Sequence, residues 1–315
     1  MSERYLKYST YLKQKYGQKV YKLPVNLDLT CPNRDDNLSK GGCSFCSEIG
    51  TGFENADNSL SIKNQLLENK EVIGQKYNAD KFIAYFQNFT NTYMPIDKFK
   101  KVINESLIKN IVEVSISTRP DCISDKYLEV LKEISIKNNI NISIELGLQS
   151  IKHTTLKKVN RGHSLAEFID AVLRIQKFNF NITVHLIANL PWDLKKDLIE
   201  TAKVMSALNI DQIKLHSLYI LKGTKLAKEY KNNEFEICSM EEYIDRIVEF
   251  IKYTKEDIVF QRFLARAPKD KSIFCNWGRS WWKINNLILE RLEKEDIFQG
   301  DKCDYLNGKA LNKFS

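Results

Sequence analysis

Three cysteines stand close together early in the chain: Cys31, Cys43 and Cys46, in the stretch CPNRDDNLSKGGCSFC. Sulfur is a soft donor, and thiols grouped in one glycine-containing loop read as metal ligands. Eleven residues separate the first two and two separate the last pair, so the loop can fold back and aim three sulfurs at one centre. A closed structural zinc site needs four protein ligands, and Cys122 is the nearest further thiol in the sequence. Four thiolates usually hold an iron-sulfur cube; three leave one iron open, and an open position is what catalysis requires. Two other readings stay open at this point: a structural cluster on a non-catalytic RNA-binding protein, and a zinc site completed by water or histidine. A cysteine nucleophile fits less well, because the grouped thiols lack a nearby base.

Such a loop needs a scaffold, and the hydrophobic pattern supplies one. VYKLPVNLDL (20–29) alternates and is β-branched enough to be a first strand, with the thiols beyond its carboxyl end. Residues 59–77 have helical spacing, and KFIAYF (81–86) is a short apolar run of the kind buried in parallel sheets. The rhythm repeats with helix 96–109, strand 111–117, helix 124–137, strand 141–148, helix 164–178, strand 181–188, helix 194–208 and strand 210–217. Six βα units joined by right-handed crossovers predict an α/β fold, a partial (β/α)6 TIM-like barrel. Polar residues gather where parallel barrels keep reactive groups: Gln87 and Asn88 after strand two, Arg119 and Asp121 after strand three, Glu145 and Gln149 on strand four, His185 and Asn189 on strand five, and His216 on strand six. A strand-end amide can instead satisfy loop peptides, and a barrel histidine can be a satisfied interior group.

The strings carry a resemblance. The three-cysteine loop with an aromatic residue, Phe45, before its last cysteine is similar to that of the radical S-adenosylmethionine (radical SAM) enzymes, and its wide first gap is like that of the Elongator-type tRNA-modifying branch. AYFQNFTNTY (84–93), STRPDC (117–122), IELGLQS (144–150), NRGHS (160–164), HLIANLP (185–191), KLHSLYILKGTKLA (214–227) and RFLARAPKD (262–270) resemble, in order, a bacterial radical SAM family close to that branch. The resemblance implies a [4Fe-4S] cluster on Cys31, Cys43 and Cys46, with S-adenosyl-L-methionine on the free iron. It also implies an electron donor such as flavodoxin or ferredoxin, and a 5′-deoxyadenosyl radical that abstracts hydrogen from the substrate. Members in Gram-positive bacteria act on the wobble uridine of tRNA, which implies tRNA as substrate and conversion of a carboxymethylaminomethyl group to aminomethyl. By the same resemblance Phe45, Gln87, Asn88, Glu145, Gln149, Arg161 and Leu190 border the cofactor, although Glu145 could equally pair with a barrel lysine. Arg119 is the candidate for holding the substrate carboxylate. Asn189 and Trp192 stand where relatives carry glycine.

Composition sets the remaining bounds. With 315 residues, 43% of them hydrophobic, the chain can bury a full core. No proline- or serine-rich linker divides it, so residues 1–255 read as the barrel and 256–315 as a C-terminal α/β extension capping it. Seven cysteines without an export signal read as reduced thiols, and the absence of a long apolar run leads to the expectation of a cytoplasmic protein without a membrane span. A net charge of +8 permits a polyanionic partner without demanding one. In the extension, Trp277, Arg279, Trp281, Trp282 and Lys283 suit stacking and phosphate contact with single-stranded RNA; the plain alternative is that the tryptophans pack the segment inward.

Overall fold

The expected strands form, most of them within one or two residues of where the pattern puts them. In the computed structural model, which describes residues 3–46 and 59–314, they are β1 (Val20–Val25), β2 (Lys81–Phe86), β3 (Ile111–Thr118), β4 (Asn141–Gln149), β5 (Asn181–Ile187) and β6 (Gln212–His216). Then come β7 (Tyr219–Leu221), β8 (Val259–Arg262) and β9 (Ser272–Cys275). The main sheet is hydrogen-bonded in the order β1-β2-β3-β4-β5-β6-β8. β1 to β4 pair in parallel, as do β6 and β8, while β7 and β9 form a separate antiparallel pair. The seventh strand is an addition to the six expected. VFQR is only four residues long, too short to show a period, and its place in the parallel sheet is set by pairing with β6.

Helices lie between the strands: α1 (Tyr8–Tyr16), α2 (Ile62–Tyr77), α3 (Ile96–Glu105), α4 (Asp125–Asn138), α5 (His153–Lys158), α6 (Leu165–Gln176), α7 (Lys195–Ala207), α8 (Lys225–Lys231), α9 (Met240–Tyr253) and α10 (Trp281–Lys294). Their ends follow capping chemistry. Ser164 and Glu167 close a capping box at the start of α6, and Asn78 and Asn139 end α2 and α4 in the left-handed conformation that asparagine tolerates. The backbone divides into two units. One comprises Ser9–Leu148 and Leu156–Val184; the other comprises Met1–Tyr8, Gln149–Thr155 and His185–Ser315.

Strand alternation gives the sheet two unlike faces in each unit. On β3 and β4 of the first unit, Val114, Ile116, Ile142, Ile144 and Leu146 are buried apolar positions. The intervening Glu113, Ser115, Ser143 and Glu145 carry polar groups. In the second unit β6 alternates likewise, Ile213 and Leu215 against Gln212, Lys214 and His216. Such a polar strand face is where a parallel barrel keeps groups for chemistry.

Candidate active site

Alternation alone would carry β1 on toward Asp28, yet it stops at Val25. Gln65, buried on α2, accepts from the Asn26 N–H at 2.8 Å and donates to the Asn26 carbonyl at 2.9 Å. Those are the peptide groups a ladder would use, so the chain leaves the sheet here and enters the cysteine loop. Cys31 and Cys43 are buried and Cys46 is half-buried. Local bonds shape the loop, Arg34 N–H to the Cys31 carbonyl at 2.7 Å and Cys46 N–H to the Cys43 carbonyl at 2.9 Å.

Its main support comes from a distant turn at 159–162. The Ser44 N–H donates to the Val159 carbonyl at 3.0 Å. Asn160 Nδ2 reaches the carbonyls of Gly42 at 2.8 Å and Lys40 at 3.1 Å. In return Asn33 Nδ2 faces the carbonyls of Asn160 at 2.5 Å and Arg161 at 3.0 Å. The turn ends at Gly162, whose φ is +79°, and a Cβ there would meet Asn33 Oδ1 at 2.3 Å and Arg119 Nη2 at 3.2 Å. Only glycine combines that dihedral with that clearance.

Two buried guanidiniums complete the region. Arg161 donates from Nη2 to the Gly147 carbonyl at 2.7 Å, from Nε to His163 Nε2 at 2.9 Å and from Nη1 to Cys43 Sγ at 3.5 Å. His163 Nε2 also lies 3.0 Å from the Gly147 carbonyl, and its Nδ1 lies 3.3 Å from the Ser164 carbonyl. Burial, and after it the charges of Arg161 and Arg119, push the His163 pKa down to about 3. Arg119 makes a two-pronged pair with Asp121, Nε to Oδ1 at 2.8 Å and Nη2 to Oδ2 at 2.6 Å, and donates from Nη1 to the Arg161 carbonyl at 2.8 Å. Burial alone would raise the Asp121 pKa, but the Arg119 bond and charge outweigh it and hold the carboxyl below its ordinary value.

The thiols share one electrostatic neighbourhood. Burial, then the neighbouring Cys43, push the Cys46 pKa up to about 11; Cys31 adds to the rise, while Arg34 and Arg161 pull the other way. Cys122 is pushed up to about 12 by burial and Asp121, and it also feels Cys31. Among the described residues, no three His, Cys, Asp or Glu side chains converge closely enough to hold a single metal ion. A cavity of about 510 Å³ adjoins Asp121 and Cys122, with Thr92, Tyr93, Met94 and Tyr127 in its wall.

Within this unit the structure thus brings together Cys31, Cys43, Cys46, Arg119 and Arg161. Phe45 is half-buried beside Cys46, Gln87 is half-buried after β2, and Asn88 donates to Asn26 Oδ1 at 3.1 Å, near the loop's entry. Two expectations need correction. Arg119 is not poised to take a substrate carboxylate, since its fork is already closed on Asp121 and its side chain is 2% exposed. Arg161, offered as a carboxylate fork toward the cofactor, has its N–H groups directed at Gly147, His163 and Cys43. Glu145 follows the alternative reading: its buried carboxylate pairs with Lys22 and accepts from Tyr85 at 2.9 Å and Ser115 at 3.1 Å. Sequence reasoning missed Asn33, Asn160 and His163; the NRGHS string held the last two, but only as flanks of Arg161.

The other unit holds Gln149, half-buried at the end of β4 with φ +77°, and Leu190, whose side chain is fully buried. Asn189 fills the place of the absent glycine by accepting the Leu218 N–H at 2.6 Å. The His185 and His216 rings are nearly parallel with their centres 5.3 Å apart, His185 Nδ1 lies 3.3 Å from His216 Nε2, and Arg262 Nη2 is 2.8 Å from His216 Nδ1. The tryptophans divide. Trp277 packs against Tyr243 and Phe274 and donates to the Cys238 carbonyl at 2.8 Å, as the inward reading holds. Trp281 and Trp282 are 40% and 49% exposed, with the Arg266 guanidinium 4.1 Å from the Trp281 ring centre and Lys283 near the Trp282 ring.

Comparison with known proteins gives a consistent picture. The profile described as Radical SAM superfamily matches residues 33–205, and that described as Radical_SAM C-terminal domain matches 210–294. The uncharacterised protein YtqA of Bacillus subtilis (strain 168) is 30% identical over 299 residues, 95% of this chain and 92% of that protein. An uncharacterised protein of Methanocaldococcus jannaschii is 34% identical over 308 residues, 95% of this chain and 93% of its own. A tRNA uridine(34) acetyltransferase of Methanocaldococcus infernus is 28% identical over 200 residues, 62% of this chain and 36% of that enzyme. Among solved structures, the archaeal Methanocaldococcus infernus Elp3 matches with a TM-score of 0.64 at 19% identity, covering 93% of this chain and 67% of that one, a likeness of fold.

Proposed function

This chain belongs to the radical SAM superfamily, whose enzymes use a [4Fe-4S] cluster and SAM, and from that premise we propose that Cys31, Cys43 and Cys46 hold the cluster and that the substrate is a 5-substituted wobble uridine of tRNA. The observation that carries the first half is the cysteine loop itself: three thiols in one neighbourhood, braced from outside, with the Arg34 and Arg161 charges favouring the thiolate of Cys46. Thiols raised by burial ionise when a cationic centre binds them, and a cluster takes its thiolates on separate irons, so this donor set fits the group. Once bound, the pair supplies reductive cleavage of SAM and hydrogen abstraction from an unreactive C–H bond.

The chain's own residues bind and orient. Phe45, Gln87 and Asn88 lie around the loop or the end of β2, and they are our candidates for contact with SAM. For the substrate, support comes from the tRNA uridine(34) acetyltransferase relative and from the exposed Trp281 and Trp282 with their flanking cations in the C-terminal extension. Bases stack on such rings while cations take phosphates. In the proposed reaction, hydrogen abstraction from the carbon between the amine and carboxylate of a carboxymethylaminomethyl group leaves a radical there. That radical passes one electron to a one-electron acceptor such as the oxidised cluster and loses a proton to give an imine, and water cleaves the imine into the aminomethyl nucleoside and glyoxylate. Flavodoxin or ferredoxin is the electron donor for SAM cleavage.

Two measurements test this. Anaerobically reconstituted protein is expected to hold about four irons and four sulfides per chain, and to yield 5′-deoxyadenosine from SAM and dithionite, both lost in Cys43→Ala. Nucleosides of tRNA from a strain lacking the gene are expected to accumulate the carboxymethylaminomethyl form at the expense of aminomethyl; an unchanged profile rejects the substrate while leaving the enzyme class standing.

A further inference from the structure

The three sulfurs of the loop do not have equal surroundings. Cys43 Sγ faces two nitrogen donors from different parts of the chain, Arg161 Nη1 at 3.5 Å and Asn33 Nδ2 at 3.6 Å, both within N–H···S reach and both buried. Each donor is held from behind. The two hydrogens of Asn33 Nδ2 serve the Asn160 and Arg161 carbonyls, so its bond to sulfur is a shared, three-centre one, and its Oδ1 is left buried with no hydrogen-bond partner. Turning the amide over to satisfy that oxygen would set it against two carbonyl oxygens and remove the donor from sulfur. Arg161 is held by the Gly147 carbonyl and lies against His163 Nε2 at 2.9 Å. An unsatisfied buried oxygen is tolerated here by an arrangement that keeps the amide nitrogen, and not its oxygen, toward sulfur.

We propose that Asn33 and Arg161 are positioning residues that set the reduction potential of the cluster through paired hydrogen bonds to Cys43. This rests on the reading of Cys43 as a cluster ligand. Hydrogen bonds to ligand sulfur and nearby positive charge stabilise the more negative, reduced state and so raise the potential. The consequence is an asymmetric site, in which the Cys43 corner is the electron-poor one.

The test is a mediated potential titration of the reconstituted protein, read by the electron paramagnetic resonance of the reduced cluster. Asn33→Ala and Arg161→Gln are expected to shift the midpoint to more negative potential, and Arg161→Lys, which keeps the charge but not the fork, to shift it less than Arg161→Gln. Variants that load a full cluster and keep the wild-type midpoint would reduce both residues to braces of the loop and overturn the proposal. Should a variant fail to load, wild-type protein labelled with 15N-arginine decides the matter. A hyperfine coupling between that nitrogen and the reduced cluster is expected, and its absence also overturns the proposal. Cys43→Ala serves as the separate control: full cluster content in that variant would remove the ligand reading itself.

Discussion

The cysteine loop and the first turn of α10 use the same residue types in opposite ways. Around the loop, Arg119 and Arg161 are buried and their donors meet a carboxylate, carbonyls, an imidazole and a sulfur of the chain itself. At the start of α10, Arg266 and Lys283 lie over rings that are themselves two-fifths or more exposed. A guanidinium with every bond directed inward holds geometry; one laid on an exposed indole is available to something larger than a small molecule. Partner commitment, more than residue type, separates the region proposed to grip a cofactor from the one proposed to meet RNA.

The contrast can be broken from either side. The largest effect is expected from Asp121→Ala, which strands a buried guanidinium: loss of about 3–5 kcal/mol of stability by urea denaturation. Gly162→Ala follows, since it forces a left-handed dihedral on alanine and drives Cβ into Asn33. A loss of about 2–4 kcal/mol is expected, with reduced cluster content on reconstitution. Trp281→Ala should leave the melting curve nearly unchanged but weaken tRNA binding by about 1–3 kcal/mol in a filter-binding titration; a large stability loss would place this ring with Trp277 instead. The smallest is a pH effect. His163 falls from its ordinary 6.5 to about 3 on folding, so below pH 6.5 the unfolded chain takes up a proton that the folded one refuses. Its stabilisation is full above that pH and declines as the pH drops toward 3. In His163→Gln, the loss of stability on acidification over that window should be shallower than in the wild type.

Local periodicity made most of the fold legible. Strands and helices of the first six units announce themselves because each buries one face, and their bounds follow within a few residues. β1 was overestimated because its alternation continues past Val25, and what stops it is Gln65, a residue on the next helix. β8 falls in the segment assigned to the extension because its place in the main sheet rests on pairing with β6, which no local pattern reveals. The same division holds at the site. The thiols are visible as a cluster of like residues, whereas Asn33 and Asn160 take their roles by meeting at a sequence separation of 127. No spacing rule connects them. Arg119 is a different case: its partner Asp121 stands two residues away, so the pairing was open to local inspection, and the pull of a hypothetical substrate carboxylate displaced it.

The distance between the cysteine loop and its brace also orders events in time. A ribosome that has released Cys46 has made all three thiols, but not the Asn160 amide or the Gly162 turn that fix their loop. The nascent chain therefore passes through an interval in which the proposed ligands have been made and their geometry is not yet fixed, open to oxidation or to the wrong metal. Productive cluster insertion belongs after synthesis of the fifth strand's approach, which makes maturation of this protein depend on long-range folding as much as on the supply of iron and sulfide.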